Sequence, residues 1–160
     1  MTVRLAILTI SDAGARGERE DRSGDAIEAW ARESAIDLAA RAIVPDENLA
    51  ITTQLIRWAD DGVADIILTT GGTGLASRDN TPEATRAVID REAPGIAEAI
   101  RADGIRETPR AALSRGIAGV RGKTLIVNLP GSTGAVRDGL ATLAPLVQHI
   151  AALLHGETEH

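Results

Sequence analysis

Asp65-Ile66-Ile67-Leu68-Thr69-Thr70-Gly71-Gly72-Thr73-Gly74 is the stretch on which the reading of this chain turns. A short, near-continuous apolar run ends and gives way at once to small residues and glycines. A run with no polar face suits a strand covered on both sides, as in a parallel sheet. Runs of the same kind occur over residues 4–10, 38–44 and 124–129. Between them the apolar spacing changes to helical. Ile27, Trp30, Ala31 and Ser34 share one face, and so do Ile51, Leu55 and Trp58. Leu140, Leu143, Ala144, Val147, Ile150, Ala151 and Leu154 form a stripe that predicts one long C-terminal helix. Residues 82–121 read as helix-rich, with breaks near Pro94-Gly95 and around 104–109. The order is β-α-β-α-β, a helical excursion, β, and a last helix. Such alternation implies a largely parallel sheet with helices on both faces, an α/β fold.

Composition narrows the chemistry. The 160 residues carry a formal net charge of −6, no Cys, no Phe, no Tyr and two Trp, and Lys123 is the only Lys. Without Cys there is no disulfide, thiol nucleophile or thiolate zinc site. The near absence of aromatics and the acidic balance speak against nucleic-acid binding. No apolar run approaches the span of a membrane, so a soluble, cytoplasmic protein is expected. His149, His155 and His160 do not form a ligand cluster and read as surface residues. One domain is expected over residues 1–156, followed by a polar tail at 157–160.

Ligands in open parallel sheets bind beyond the carboxyl ends of the strands. There the sequence places Ser11-Asp12-Ala13-Gly14, Pro45-Asp46-Glu47, Thr70-Gly71-Gly72-Thr73-Gly74 and Pro130-Gly131-Ser132. The glycine block offers backbone N–H groups with little side-chain obstruction, which suits phosphate or a flat ring. Thr81-Pro82-Glu83 reads as a helix start with Thr81 as N-cap, and Ser132 reads as the N-cap of the last helix. Asp46 and Asp79 follow different strands yet belong at the same sheet edge. With phosphate oxygens they would suit Mg²⁺, and taken singly they read as solvated or ion-paired loop acids. Arg78 reads either as a phosphate partner or as an ion-pair partner of Asp79 or Glu83. Gly122-Lys123-Thr124 is no P-loop, because the first glycine is replaced by Ile117 and the segment precedes a strand. Gly72-Thr73-Gly74-Leu75-Ala76-Ser77 lacks the last small residue of a dinucleotide fingerprint.

Read together, Thr9-Ile10-Ser11-Asp12, Asp21-Arg22-Ser23-Gly24, Pro45-Asp46, the block from Thr69 to Gly74, Arg78-Asp79-Asn80-Thr81-Pro82-Glu83-Ala84-Thr85 and Asn128-Leu129-Pro130-Gly131-Ser132 resemble the molybdopterin-binding family of MogA and MoaB proteins and gephyrin-like domains. The resemblance implies a three-layer α/β/α sandwich, often a homotrimer. Active members adenylate molybdopterin with Mg-ATP and release pyrophosphate, and a MoeA-type insertase then adds molybdate. Asp46 and Asp79 would be the catalytic and Mg²⁺-holding acids. Ser11, Asp12, Thr70, Gly71, Gly72, Thr73, Gly74, Arg78, Thr81, Pro130, Gly131 and Ser132 would bind the substrate. Asp21, Ser23 and Gly24, with Gly71 and Gly72, would bind the nucleotide. The alternatives are a MoaB-like pterin-binding protein with little or no adenylation, a competence-type domain of similar fold, and a structural trimer subunit.

Overall fold

The structure, a computed structural model, describes residues 1–157. Residues 158–160, which hold most of the expected polar tail and His160, lie outside the described residues. The elements in order are β1 (Arg4–Ile10), α1 (Asp12–Ala15), α2 (Arg22–Glu33), β2 (Asp37–Val44), α3 (Asn48–Asp60), β3 (Ile66–Thr70), α4 (Thr81–Val88), β4 (Arg91–Glu92), α5 (Pro94–Glu107), a 3₁₀ turn (Pro109–Leu113), β5 (Ala118–Arg121), β6 (Thr124–Leu129), α6 (Thr133–Leu143) and α7 (Val147–Leu154). The sheet runs in the order β2-β1-β3-β6-β5-β4. The first four of these strands are mutually parallel, β5 pairs antiparallel with β6, and β4 pairs antiparallel with β5.

The continuous apolar runs become two cores by simple alternation. Leu5, Ile7, Ile66, Leu68, Leu125, Val127 and Leu129 face one side, where Ile27, Ala31, Val136, Leu140, Val147 and Ala151 cover them. Ala6, Leu8, Ile10, Ile67 and Ile126 face the other side, where Ile51, Leu55, Trp58, Ala84 and Val88 cover them. Successive strand side chains point to opposite faces, so a strand covered on both faces is apolar at most positions, and the polar side chains it does bury, such as Asn128, are hydrogen-bonded. This gives the expected three-layer α/β/α sandwich. Among the described residues no helix is long and apolar enough to cross a membrane.

The structure departs from the sequence reading in two places. The C-terminal stripe is two helices, because Pro145 lacks an N–H and interrupts the ladder between α6 and α7. Residues 118–121 are strand and hairpin with β6 through the two-residue turn Gly122-Lys123, and β4 adds to that edge. The expected break within 104–109 is present: α5 ends at Glu107 and the 3₁₀ turn starts at Pro109. A methyl group at Gly104 would lie 2.9 Å from the Cβ of Ala111, so the small residue lets the 3₁₀ turn pack against the helix. His155 is exposed, as expected of a surface residue, and its Nε2 lies 2.8 Å from an Asp65 oxygen.

That Asp65 is a staple at the sheet's far end. Its carboxylate is 2% exposed and accepts hydrogen bonds from the backbone and side chain of Arg4, each at 2.8 Å. Burial pushes its pKa up, but the Arg4 and His155 hydrogen bonds outweigh burial and hold it below the ordinary value of 3.8. The folded state therefore binds this proton less tightly than the unfolded chain. The stabilisation is present above pH 3.8 and is lost as pH falls through the lowered value. Asp65→Ala is expected to cost about 2 kcal/mol at pH 7, allowing for the exposed Arg4 side chain, and less in acid. Urea unfolding read by Trp fluorescence at both pH values checks this, and equal stability of the variant at pH 7 would contradict it.

Candidate functional site

The sheet order places β1 between β2 and β3, so the chain leaves the ends of β1 and β3 in opposite directions and opens a crevice there. Ser11 and Asp12 leave β1 at this crevice, Asp46 follows β2, residues 71–74 follow β3, and residues 130–132 follow β6. The four loops that the sequence nominated separately thus meet at one edge.

The glycine block is a turn in which every carbonyl is taken. Thr81 Oγ1 donates to Gly71 O at 2.9 Å, and Thr81 N donates to Gly72 O at 3.1 Å. Arg115 N donates to Thr73 O at 2.8 Å, and Arg115 Nε donates to Gly74 O at 2.8 Å. Gly71 N donates to Leu129 O at 3.3 Å. The N–H groups of Gly72, Thr73 and Gly74 donate to no acceptor among the described residues. Consecutive amides without acceptors, one of them on buried Thr73, form a concavity suited to an anion. Only glycine fits the first two positions. Gly71 has φ +97° and a methyl group there would lie 2.3 Å from Ile10 O. Gly72 has φ +68° and its methyl group would lie 2.2 Å from Thr81 Oγ1.

Three carboxylates surround this turn. Asp12 and Asp46 are joined reciprocally: Asp12 N donates to Asp46 Oδ2 at 2.9 Å, and Asp46 N donates to Asp12 Oδ1 at 3.0 Å. Arg78 grips Asp12 with Nε–Oδ2 at 2.7 Å and Nη2–Oδ1 at 2.8 Å, which holds the Asp12 carboxyl below its ordinary range. Asp46 shifts the opposite way. Burial raises its pKa, and the charges of Asp12 and Asp79 add to that. Asp79 Oδ2 accepts from Ala76 N at 3.0 Å. Asp46 Oδ1 and Asp79 Oδ1 accept no hydrogen bond among the described residues, and both side chains line the same cavity. No cluster of three or more His, Asp or Glu side chains arranged to hold a metal occurs among those residues. Two carboxylates beside an anion-suited turn are nevertheless a donor set that would suit Mg²⁺, which takes its remaining ligands from water and phosphate.

Two cavities meet here. One of about 850 Å³ is lined by Ser11, Asp21, Ser23, Thr70, Gly71 and Asp46 among others. The second, about 550 Å³, lies beneath α5 and the 3₁₀ turn, with Thr73, Gly74, Pro130, Arg101, Arg110 and Ser114 on its walls. Gly72, Asp79, Gly131 and Ser132 line both. Ser132 caps α6, its Oγ accepting from Ala135 N at 3.3 Å.

Several nominated residues act differently from the sequence reading. Thr81 is fully buried and is not the N-cap. Asn80 holds that position without a side-chain bond, and Thr81 locks the glycine turn instead. Gly24 is buried beneath Asp21, which caps α2 by accepting from Gly24 N at 3.1 Å, so Gly24 lines neither cavity. Arg78 pairs with Asp12, not with Asp79 or Glu83, and neither Arg78 nor Asp12 lines a cavity. The sequence reading missed the second cavity's Arg101, Arg110 and Ser114, and also Arg115. Their one available signal was the break at Pro109, which folds the chain back over the glycine turn. Asn128 was visible only within its motif. In the structure it is buried, with Nδ2 donating to Thr69 Oγ1 at 3.0 Å and Thr85 Oγ1 at 2.9 Å.

The chain matches the family model of the probable molybdopterin binding domain over residues 6–149. It is 52% identical to the solved molybdopterin biosynthesis enzyme MoaB of Thermus thermophilus, with a TM-score of 0.91 over 97% of this chain and 98% of that one. It is 38% identical to the molybdopterin adenylyltransferase of Helicobacter pylori strain J99, over 97% of this chain and 89% of that protein. It is 40% identical to the molybdenum cofactor synthesis protein cinnamon of Drosophila melanogaster, but spans only 26% of that protein's length.

Gly72→Ala is expected to weaken binding of inorganic pyrophosphate by about tenfold or more, because the turn that frees the amides cannot close around a methyl group. Isothermal titration of the folded variant checks this, and unchanged affinity would contradict it. Asp46 supplies a second expectation. Its raised pKa means that the folded state binds the proton more tightly than the unfolded chain. Stability at this group therefore falls as pH rises through the interval above 3.8 and stays lower beyond it. Asp46→Asn keeps an acceptor for Asp12 N and removes the charge, so Tm at pH 7 should hold or rise. A clear drop in Tm would contradict the assignment.

Proposed function

Because the chain belongs to the molybdopterin-binding family of MogA and MoaB proteins, we propose that it is a molybdopterin adenylyltransferase of molybdenum cofactor biosynthesis, with Mg-ATP and molybdopterin as substrates. The observation that carries this reading is the row of free amides at Gly72, Thr73 and Gly74 on the boundary between two cavities. A reaction that joins two phosphate-bearing molecules needs two compartments and a shared phosphate site.

In this reading the 850 Å³ cavity, with its polar wall of Ser11, Asp21 and Ser23, takes the nucleotide. The 550 Å³ cavity, part apolar and lined by Arg101 and Arg110, takes the pterin. The terminal phosphate oxygen of molybdopterin attacks the α-phosphorus of ATP. The new P–O bond forms as the bond to the β-phosphate oxygen breaks, and pyrophosphate leaves. Residues 72–74 hold phosphate oxygens by their N–H groups, and the N-terminus of α6 behind Ser132 adds positive potential. Asp46 and Asp79 would hold Mg²⁺, which when bound supplies positive charge against the phosphate oxygens. Asp12 and Arg78 stand behind Asp46 and fix its backbone. No side chain needs to form a covalent bond, consistent with a chain without Cys and with no His among the described residues that line either cavity.

The reading extends to a single domain over residues 1–156, a homotrimer in the cytoplasm, and delivery of the product to a MoeA-type insertase. Purified protein mixed with molybdopterin, ATP and Mg²⁺ should release pyrophosphate and form adenylyl-molybdopterin. Absence of product, where a known adenylyltransferase reacts, would overturn the proposal. Asp79→Asn should lower kcat by about a hundredfold or more while pterin affinity changes little. Equal losses in both would make Asp79 a binding residue.

A further inference from the structure

The side chain of Arg115 binds both ends of the loop over residues 74–79. Its Nε donates to Gly74 O at 2.8 Å, and its Nη2 donates to Asp79 O at 2.7 Å. Nη1 meets the Glu83 carboxylate on α4, and Arg115 N donates to Thr73 O at 2.8 Å. The loop itself closes a small ring, with Asp79 N donating to Ala76 O and Ala76 N to Asp79 Oδ2, each at 3.0 Å. That ring sets the Asp79 rotamer relative to its own loop and nothing else. Arg115 lies just before β5, on the segment that joins the 3₁₀ turn to the sheet, so its bonds refer the loop to the sheet. The planar guanidinium supplies three separately aimed N–H groups, and the single nitrogen of a lysine cannot occupy all three places.

We propose that Arg115 is a positioning residue for adenylyl transfer: it clamps Gly74 O and Asp79 O so that the Asp79 carboxylate stays on the wall shared by the two cavities. This rests on the reading of Asp79 as an acid of the reaction. Arg115 lines neither cavity, so its effect on turnover must pass through the loop. Glu83 steadies the guanidinium from outside, since the pair holds the Glu83 carboxyl below its ordinary range.

The test compares Arg115→Lys and Glu83→Gln with the unaltered chain. Hydrogen exchange at the Ala76 and Asp79 amides needs neither substrate nor metal. In Arg115→Lys these amides should exchange about tenfold faster or more, while the core amides of β1 and β3 keep their protection. In Glu83→Gln they should stay within about twofold of the unaltered chain, because both carbonyl bonds remain. In the reaction, Arg115→Lys should raise the Mg²⁺ concentration for half-maximal rate about tenfold and lower kcat, with KM for ATP nearly unchanged. Unchanged exchange in a folded Arg115→Lys would overturn the clamp, as would a Glu83→Gln chain that exchanges like Arg115→Lys. A fall in kcat with no change in Mg²⁺ dependence would overturn the link to Asp79. An unaltered chain that makes no product would overturn the adenylyltransferase reading alone, and exchange would still decide the clamp.

Discussion

The carbonyls of residues 71–74 are all taken, while the amides of Gly72, Thr73 and Gly74 donate to no acceptor among the described residues, and the site is built on that constraint. A peptide unit cannot rotate its oxygen without rotating the neighbouring N–H, because the group is planar. By taking Gly71 O and Gly72 O, Thr81 fixes the first half of the turn, and Arg115 takes Thr73 O and Gly74 O to fix the second. The amides of Gly72, Thr73 and Gly74 are left without an acceptor among the described residues. Leaving the donor of buried Thr73 unpaired costs stability, and a phosphate ligand would restore what is missing. The two positive-φ glycines are what allow the turn, and Thr81, first in α4, couples it to that helix.

The same edge concentrates negative charge near the anion site. Asp12 is neutralised by Arg78 and spends its oxygens on that residue and on Asp46 N. Asp46 is half-buried beside two other acids and has no arginine of its own, which is why its proton is held more tightly. Such an arrangement is unfavourable for folding alone and is suited to recruiting a cation. The cost is met far away, at the opposite end of the sheet, where Asp65 binds Arg4 and His155 and ties the C-terminal helix to β1 and β3. Function and stability thus occupy opposite ends of the strands.

Much of this was legible from residues alone. The parallel strands showed because strands covered on both faces are apolar at most positions, and the meeting of Ser11, Asp46, the glycine block and Ser132 followed from the strand-end rule. Thr81 was singled out, but sequence propensity reads a Thr before Pro as a cap and cannot see that its hydroxyl reaches back ten residues to Gly71. The β5–β6 hairpin hid inside a region of helical composition, because β5 has only four residues and its pairing is tertiary. Arg115 gave no local signal, since its partners lie 32 to 41 residues away. The second cavity was equally hidden, being formed by α5 and the 3₁₀ turn folding over the glycine block. The pterin and the adenylyl transfer came from motif resemblance and not from spacing.

The central claim is that the amides of residues 72–74 are a phosphate site. The most direct measurement is a titration of ¹⁵N-labelled protein with inorganic pyrophosphate, followed amide by amide in NMR spectra. The account predicts saturable shifts largest at Gly72, Thr73 and Gly74, with a smaller response at Gly71, whose N–H already donates to Leu129 O. Shifts centred on other loops, with these three amides unmoved, would contradict it.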